Sequence, residues 1–206
     1  YEEMYWKYGY DRYFDSFEHY YLLYQRRNLD LWAEYADGKV TKEELNRQRY
    51  LYPLEAVGAG DSTLAKAYER DALTMIPTKS KLMPHAREVL EYLSGKYNLY
   101  ILSNGFKELQ SHKMRSSGID EYFKKVVLSD DIGILKPWPE IFHFALSTTQ
   151  SELNNSLMIG DSWENDIVGA AGVGMHQVFY NLSGRTDLPF APTYQITDLK
   201  DLFNFL

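Results

Sequence analysis

From residue 1 to about residue 75 the apolar and aromatic positions recur at helical spacing, and no stretch alternates in the manner of a strand. Helix-start chemistry punctuates this region at Asp15 with Glu18, at Thr41 with Glu44, and at Asp61-Ser62-Thr63. In each case a short oxygen-bearing side chain stands where it can accept an orphan amide of the next turn. Gly38, Pro53, Gly58 and Gly60 supply the expected breaks. The pattern predicts three or four helices packed as a small bundle. Eleven of the 18 tyrosines fall within the first 52 residues. They can pack helix on helix or stack on a flat ligand, and large aromatics at helical spacing favour packing.

The chain changes character near residue 80. Pro84 opens an amphipathic helix carrying Ala86, Val89, Leu90 and Leu93, followed by the apolar run Leu99-Tyr100-Ile101-Leu102. A helix from Lys107 to about Ser117 leads through Gly118 to Val126-Val127-Leu128. A third helix starts after Pro137 with Ile141, Phe142, Ala145 and Leu146, and Leu157-Met158-Ile159 follows. A helix from about Trp163 to Gly172, the run Gln177-Val178-Phe179-Tyr180 and a short strand at Tyr194-Gln195-Ile196 complete the series. Short apolar strands separated by helices predict repeated βαβ units and a buried parallel sheet. The expected organisation is therefore a helical domain over residues 1–79 and, over residues 80–206, a doubly wound α/β domain.

Composition narrows the classes of function. With 206 residues, 45% of them apolar and 25% charged, the chain is globular and long enough to hold a core without staples. It has no cysteine, which removes disulfides, thiolate zinc sites and cysteine nucleophiles. The net charge of -7 gives no footprint for a nucleic acid polymer or an anionic membrane. No apolar run approaches the ~18 residues of a membrane span. A cytoplasmic protein is expected, and no pattern specifies an oligomeric state. His19, His85, His112, His143 and His176 are scattered without ligand spacing.

Doubly wound sheets gather their chemistry beyond the carboxyl ends of the strands. At the first such end stands Ser103-Asn104-Gly105. A hydroxyl at the strand tip, with glycine and a helix start behind it, makes an anion cradle, although the same tripeptide also serves as a plain capped turn. Lys136-Pro137 follows the second strand and is either a solvated surface cation or one held against carboxylates and a phosphoryl group. Gly160-Asp161-Ser162-Trp163-Glu164-Asn165-Asp166 follows the third. Its two acids, five residues apart, can share one mouth and offer hard oxygens to Mg²⁺. Helix capping accounts for Asp161; it accounts less well for Asp166, which lies where the dipole field has faded.

Hydroxyl, lysine and paired acids fall in order on three strand ends, separated by 33, 25 and 5 residues. In this the sequence resembles the haloacid dehalogenase superfamily. Ser103 within LYILSNG resembles its second motif, Lys136 within GILKPWPEIF its third, and Asp161 and Asp166 within MIGDSWENDIVGA its fourth. The helical first third resembles the cap that many members insert after their first core strand. The first motif, Asp-x-Asp, occurs nowhere in the 206 residues, and Asp130-Asp131 fits a turn. The chain opens on Tyr1, so the resemblance places that motif in a preceding strand and turn on the order of 20–30 residues long. Without that segment the chain would lack both its nucleophile and the middle of its sheet.

The resemblance implies a Mg²⁺-dependent phosphatase acting on a small phosphorylated metabolite through an aspartyl-phosphate. It implies that Ser103 and the amides of Asn104 and Gly105 hold the phosphoryl oxygens, and that Lys136 neutralises the transferring group. It further implies that Asp161 coordinates the metal, while Asp166 ligates it or orients its water shell. The arrangement is similar to the nucleotidase-like subgroup, which points to a nucleoside 5′-monophosphate. GDSWEND resembles the phosphatase branch more than the metal-independent 2-haloacid dehalogenases, the competing chemistry on this fold. A phosphomutase and a catalytically incomplete binding protein are the remaining alternatives.

Overall fold

The computed structural model describes residues 1–206 as two units, Tyr1–Thr78 and Lys79–Leu206, each with its own core. The first unit is helical: α1 (Glu2–Lys7), α2 (Phe17–Ala36), α3 (Lys42–Ala56) and α4 (Ser62–Met75). Thr41 accepts the Glu44 amide at 3.1 Å, and Asp61 accepts the amides of Thr63 and Leu64, each at 2.9 Å. Helix α2 departs from expectation, since Ser16 and not Asp15 caps it. The extended backbone at Ser16 brings its hydroxyl to the His19 amide at 3.2 Å. Gly38 and Gly58 end helices with φ of 68° and 74°, a region that favours glycine. Pro53, expected as a break, instead lies buried inside α3. Its ring removes a single amide donor in the final turn, and the helix runs on to Ala56.

The core of this unit is aromatic. Tyr5, Tyr10, Tyr20, Tyr24, Tyr50 and Tyr68 are all buried. Tyr10 stacks on Tyr68 with centroids 5.0 Å apart and meets Tyr20 edge-on at 5.2 Å. Such pairs contribute about 0.5–1.5 kcal/mol each beyond their buried area, so the tyrosines pack helix on helix.

The second unit alternates helices with strands: α5 (Ala86–Ser94), β1 (Leu99–Ser103), α6 (Lys107–Ser117), β2 (Phe123–Leu128), α7 (Pro139–Thr149), β3 (Leu157–Gly160), α8 (Gly169–Gly172), β4 (His176–Tyr180) and β5 (Tyr194–Ile196). Every strand pairing is parallel and falls in one of two blocks, β1–β2 and β3–β4–β5. Alternate residues of β3 feed opposite faces. Leu157 and Ile159 join Val89 and Leu93 of α5, whereas Met158 joins Ile141 and Phe142 of α7. Helices thus cover both faces of a parallel α/β core. Strand β4 of the three-strand block is buried at Gln177, Val178 and Phe179, while β3 of that block and β1 of the other stay half-buried along their length.

Two elements differ from the pattern reading. Strand β2 begins at Phe123, three residues early, because exposed Lys124 and Lys125 hide it from an apolar count. The helix expected from Trp163 to Gly172 opens as a π-helical stretch, Trp163–Val168, before α8. Its widening shows in the Ser162 carbonyl, which accepts both Asp166 N–H at 2.9 Å and Ile167 N–H at 3.3 Å. Trp163 is packing, not surface: it is buried, edge-on to Phe179 at 5.2 Å.

The phenol oxygen of Tyr10 is buried without a hydrogen-bond partner, and burial pushes its pKa well above the ordinary tyrosine value. Tyr10→Phe is expected to leave stability unchanged or raise it by about 1–2 kcal/mol. Tyr10→Ala is expected to cost about 3–5 kcal/mol, both read by urea unfolding.

Candidate active site

The carboxyl ends of β1, β2 and β3 meet at Lys136. Its ammonium donates to the Leu102 carbonyl of β1 at 2.8 Å and to Asp166 Oδ1, beyond β3, at 2.6 Å. Lys136 and Asp166 are both buried, so neither is a solvated surface charge. The second carboxylate oxygen of Asp166 accepts the Ser162 amide at 3.0 Å. That carboxylate lies over Gly160, where an added Cβ would come within 2.2 Å of Oδ2 and 2.4 Å of Cγ. Glycine at the end of β3 is therefore a space requirement.

Asn104 fixes the lysine from the other side. Its side-chain carbonyl accepts the Lys136 amide at 2.7 Å, and its NH₂ donates to the Lys136 carbonyl at 2.9 Å. The side chain thus closes a two-way amide pairing between the loop after β1 and the loop after β2. Ser103, half-buried at the tip of β1, accepts Gly105 N–H at 3.0 Å and Gln110 Nε2 at 2.5 Å. The Gly105 amide is therefore turned onto Ser103.

Asp161 is exposed at the end of β3. Ser162 takes the capping role, with its hydroxyl accepting Asn165 N–H at 3.3 Å, so Asp161 is not spent as a helix cap. Asp131 serves the turn, accepting the Leu128 amide at 3.0 Å, whereas Asp130 reaches across to accept the first amide of α6, Lys107 N–H, at 3.1 Å.

The donor set at this mouth is tested for Mg²⁺ by what each carboxylate already does. Asp161 presents uncapped oxygens at the surface. Asp166 holds an ammonium and an amide, and its remaining lone pairs can accept from water. Two carboxylates with water and substrate oxygens are the ligand set Mg²⁺ ordinarily takes. No group of three or more acidic or imidazole side chains gathers at this mouth or anywhere else in the chain, so two carboxylates are all the charged donors the chain brings to it.

The structure thus links Lys136, Asp166 and Asn104 by direct bonds, sets Ser103 at the strand tip beside them, and leaves Asp161 outward. Pattern reading missed three contributors: the Asn104 side chain, Gly160 and Gln110. Gly160 carried a signal, as a glycine closing a strand before an acid; the other two carried none.

Comparisons with known proteins bear on the family and the fold. The haloacid dehalogenase-like hydrolase family matches residues 3–174. HAD-hydrolase YfnB of Bacillus subtilis (strain 168) is 29% identical over 187 residues, covering 89% of this chain and 78% of its own length. A solved structure of YfnB bound to magnesium superposes with a TM-score of 0.88 at 25% identity, over 100% of this chain and 90% of that one. Pyrimidine 5′-nucleotidase YjjG of Escherichia coli (strain K12) is 30% identical over 185 residues, covering 89% of this chain and 80% of its own. A solved dehalogenase is also similar, with a TM-score of 0.78 at 25% identity over 96% of this chain and 88% of that one.

Gly160→Ala is expected to push Asp166 off Lys136 and cost about 3–5 kcal/mol, the loss typical of an orphaned buried charge. Gly172→Ala, where nothing lies within 4 Å of the new Cβ, is the matched control and is expected to be neutral or mildly stabilising in the same denaturation experiment.

Proposed function

We propose, for a chain that belongs to the haloacid dehalogenase-like hydrolase family, the Mg²⁺-dependent hydrolysis of a small phosphate monoester, with a nucleoside 5′-monophosphate as substrate. The observation that carries this reading is the buried Lys136 ammonium, bonded to Asp166 at 2.6 Å where three strand ends converge. Phosphoryl transfer is chiefly positioning and neutralisation of charge on the equatorial oxygens. A fixed cation at the strand ends supplies that neutralisation, and its burial strengthens the effect.

In this reading the Ser103 hydroxyl donates to a phosphoryl oxygen. Lys136 balances the charge of the transferring group, and Asn104 and Asp166 hold it in place from opposite sides. Asp161 would hold Mg²⁺ directly, and Asp166 would hold its water shell. When bound, the ion supplies Lewis-acid neutralisation of the phosphoryl oxygens. No Asp-x-Asp occurs among these 206 residues, so the contribution assigned to this chain's own groups is binding, orientation and charge balance. Residues 1–79 are assigned as the helical cap domain and residues 80–206 as the hydrolase core. The acidic, cysteine-free sequence suits the cytoplasm, and no helix is long and apolar enough to cross a membrane.

Dehalogenation is the second reading, kept by the similarity to a solved dehalogenase. It attacks carbon and needs no metal, so the uncapped, outward carboxylate of Asp161 has no task there. That favours the phosphatase.

On the natural full-length protein, a phosphate-release screen over nucleoside monophosphates and sugar phosphates is expected to show turnover with Mg²⁺ that EDTA abolishes, and Lys136→Ala is expected to lower kcat at least about 10²-fold. Phosphate release that survives EDTA, or halide release from a 2-haloacid without phosphatase activity, would contradict the proposal.

A further inference from the structure

A serine hydroxyl carries one proton and two lone pairs. At Ser103 both lone pairs are engaged, one by Gly105 N–H at 3.0 Å and the other by the Gln110 side-chain NH₂ at 2.5 Å. The capacity that remains is the proton, so the hydroxyl can act only as a donor. A phosphoryl oxygen can act only as an acceptor. A hydroxyl free to rotate would spend part of its time presenting lone pairs to that anion, and one whose lone pairs are occupied does not.

The local sequence is built around this contact. Gln110 lies at the end of the first turn of α6 and folds back over Gly105 to reach Ser103. A Cβ at residue 105 would stand 2.6 Å from Gln110 Nε2 and 2.9 Å from its Cδ. Gly105 is not among the glycines with positive φ. It is needed there for the room it leaves, and that room is filled by the glutamine amide.

We propose that Gln110 is a positioning residue that fixes Ser103 as an obligate hydrogen-bond donor to a tetrahedral oxyanion, either the phosphoryl group of an ester or free orthophosphate. The inference rests on the phosphomonoesterase reading for the identity of the ester, whereas binding of orthophosphate tests it apart from turnover. Gln110→Glu preserves the shape but puts an acceptor where the donor was, so the Ser103 proton turns to residue 110 and away from the anion. Gln110→Ala only frees a lone pair. Gly105→Ala leaves the glutamine in the sequence but displaces its amide.

The experiment measures orthophosphate affinity by calorimetry in the presence of Mg²⁺, and phosphate release in parallel, on the full-length chain. Gln110→Glu is expected to weaken orthophosphate binding about 10-fold or more, the effect of losing a hydrogen bond to a charged group. Gln110→Ala and Gly105→Ala are expected to weaken it only a few-fold, so the conservative change is the more damaging one. In a Ser103→Ala background Gln110→Glu is expected to add less than about twofold, because its effect runs through the serine proton.

Near-wild-type affinity in Gln110→Glu would mean that the amide oxygen faces Ser103, and would overturn the inference. So would a Gln110→Glu penalty that persists in the Ser103→Ala background, which would be plain charge repulsion. A wild-type chain without orthophosphate affinity overturns it as well. Orthophosphate affinity with the expected mutant order, but no turnover of any phosphate ester, would remove the phosphatase reading and leave this inference standing.

Discussion

A buried ammonium tolerates no vacancy beside it. Taking Lys136 and Asp166 out of water costs several kcal/mol for each ion, and only close pairing with every remaining polar valence filled returns that energy. The structure gives two of the three ammonium N–H groups acceptors, Leu102 O and Asp166 Oδ1, and draws further groups from the loops after β1 and β3. Leu102 supplies a carbonyl, Ser162 an amide, and Asn104 ties down the lysine backbone. The position of each loop is thereby coupled to the others. Gly160 follows from the same constraint, since the carboxylate occupies the space its side chain would need. A cation fixed in this way is oriented before any anion arrives.

The helical unit is held by different physics. Its core is a cluster of tyrosines in edge and stacked contact, anchored by caps at Ser16, Thr41 and Asp61. Several of these rings carry hydroxyls into the interior, and burial pushes the phenols of Tyr10, Tyr24 and Tyr68 well above their ordinary pKa. Packing of large rings stabilises this unit in spite of their polar tips.

Much of the second unit was legible because buried parallel strands are short apolar runs with helices between them, and helix α6 has the expected bounds of Lys107 and Ser117. Where polar residues lie inside an element the pattern fails. Lys124 and Lys125 conceal the start of β2, and Pro53 sits inside a helix that its burial helps to hold. The π-helical widening at Trp163–Val168 has no signature in hydrophobic period. Asp15 and Ser16 are neighbours with equal capping chemistry, and backbone geometry chose between them. At the site, single residue types at strand ends were readable, while side-chain amides reaching across loops, as at Asn104 and Gln110, were not. Their partners lie 32 and 7 residues away, and nothing in the intervening sequence marks the pairing.

The most direct measurement is a crystal structure of the protein grown with Mg²⁺ and orthovanadate, a tetrahedral mimic of phosphate. Vanadate within hydrogen-bond reach of Ser103 Oγ and Lys136 Nζ, with the metal on Asp161, is the predicted result. Vanadate and metal bound elsewhere, with Lys136 and Asp161 facing different cavities, would contradict it.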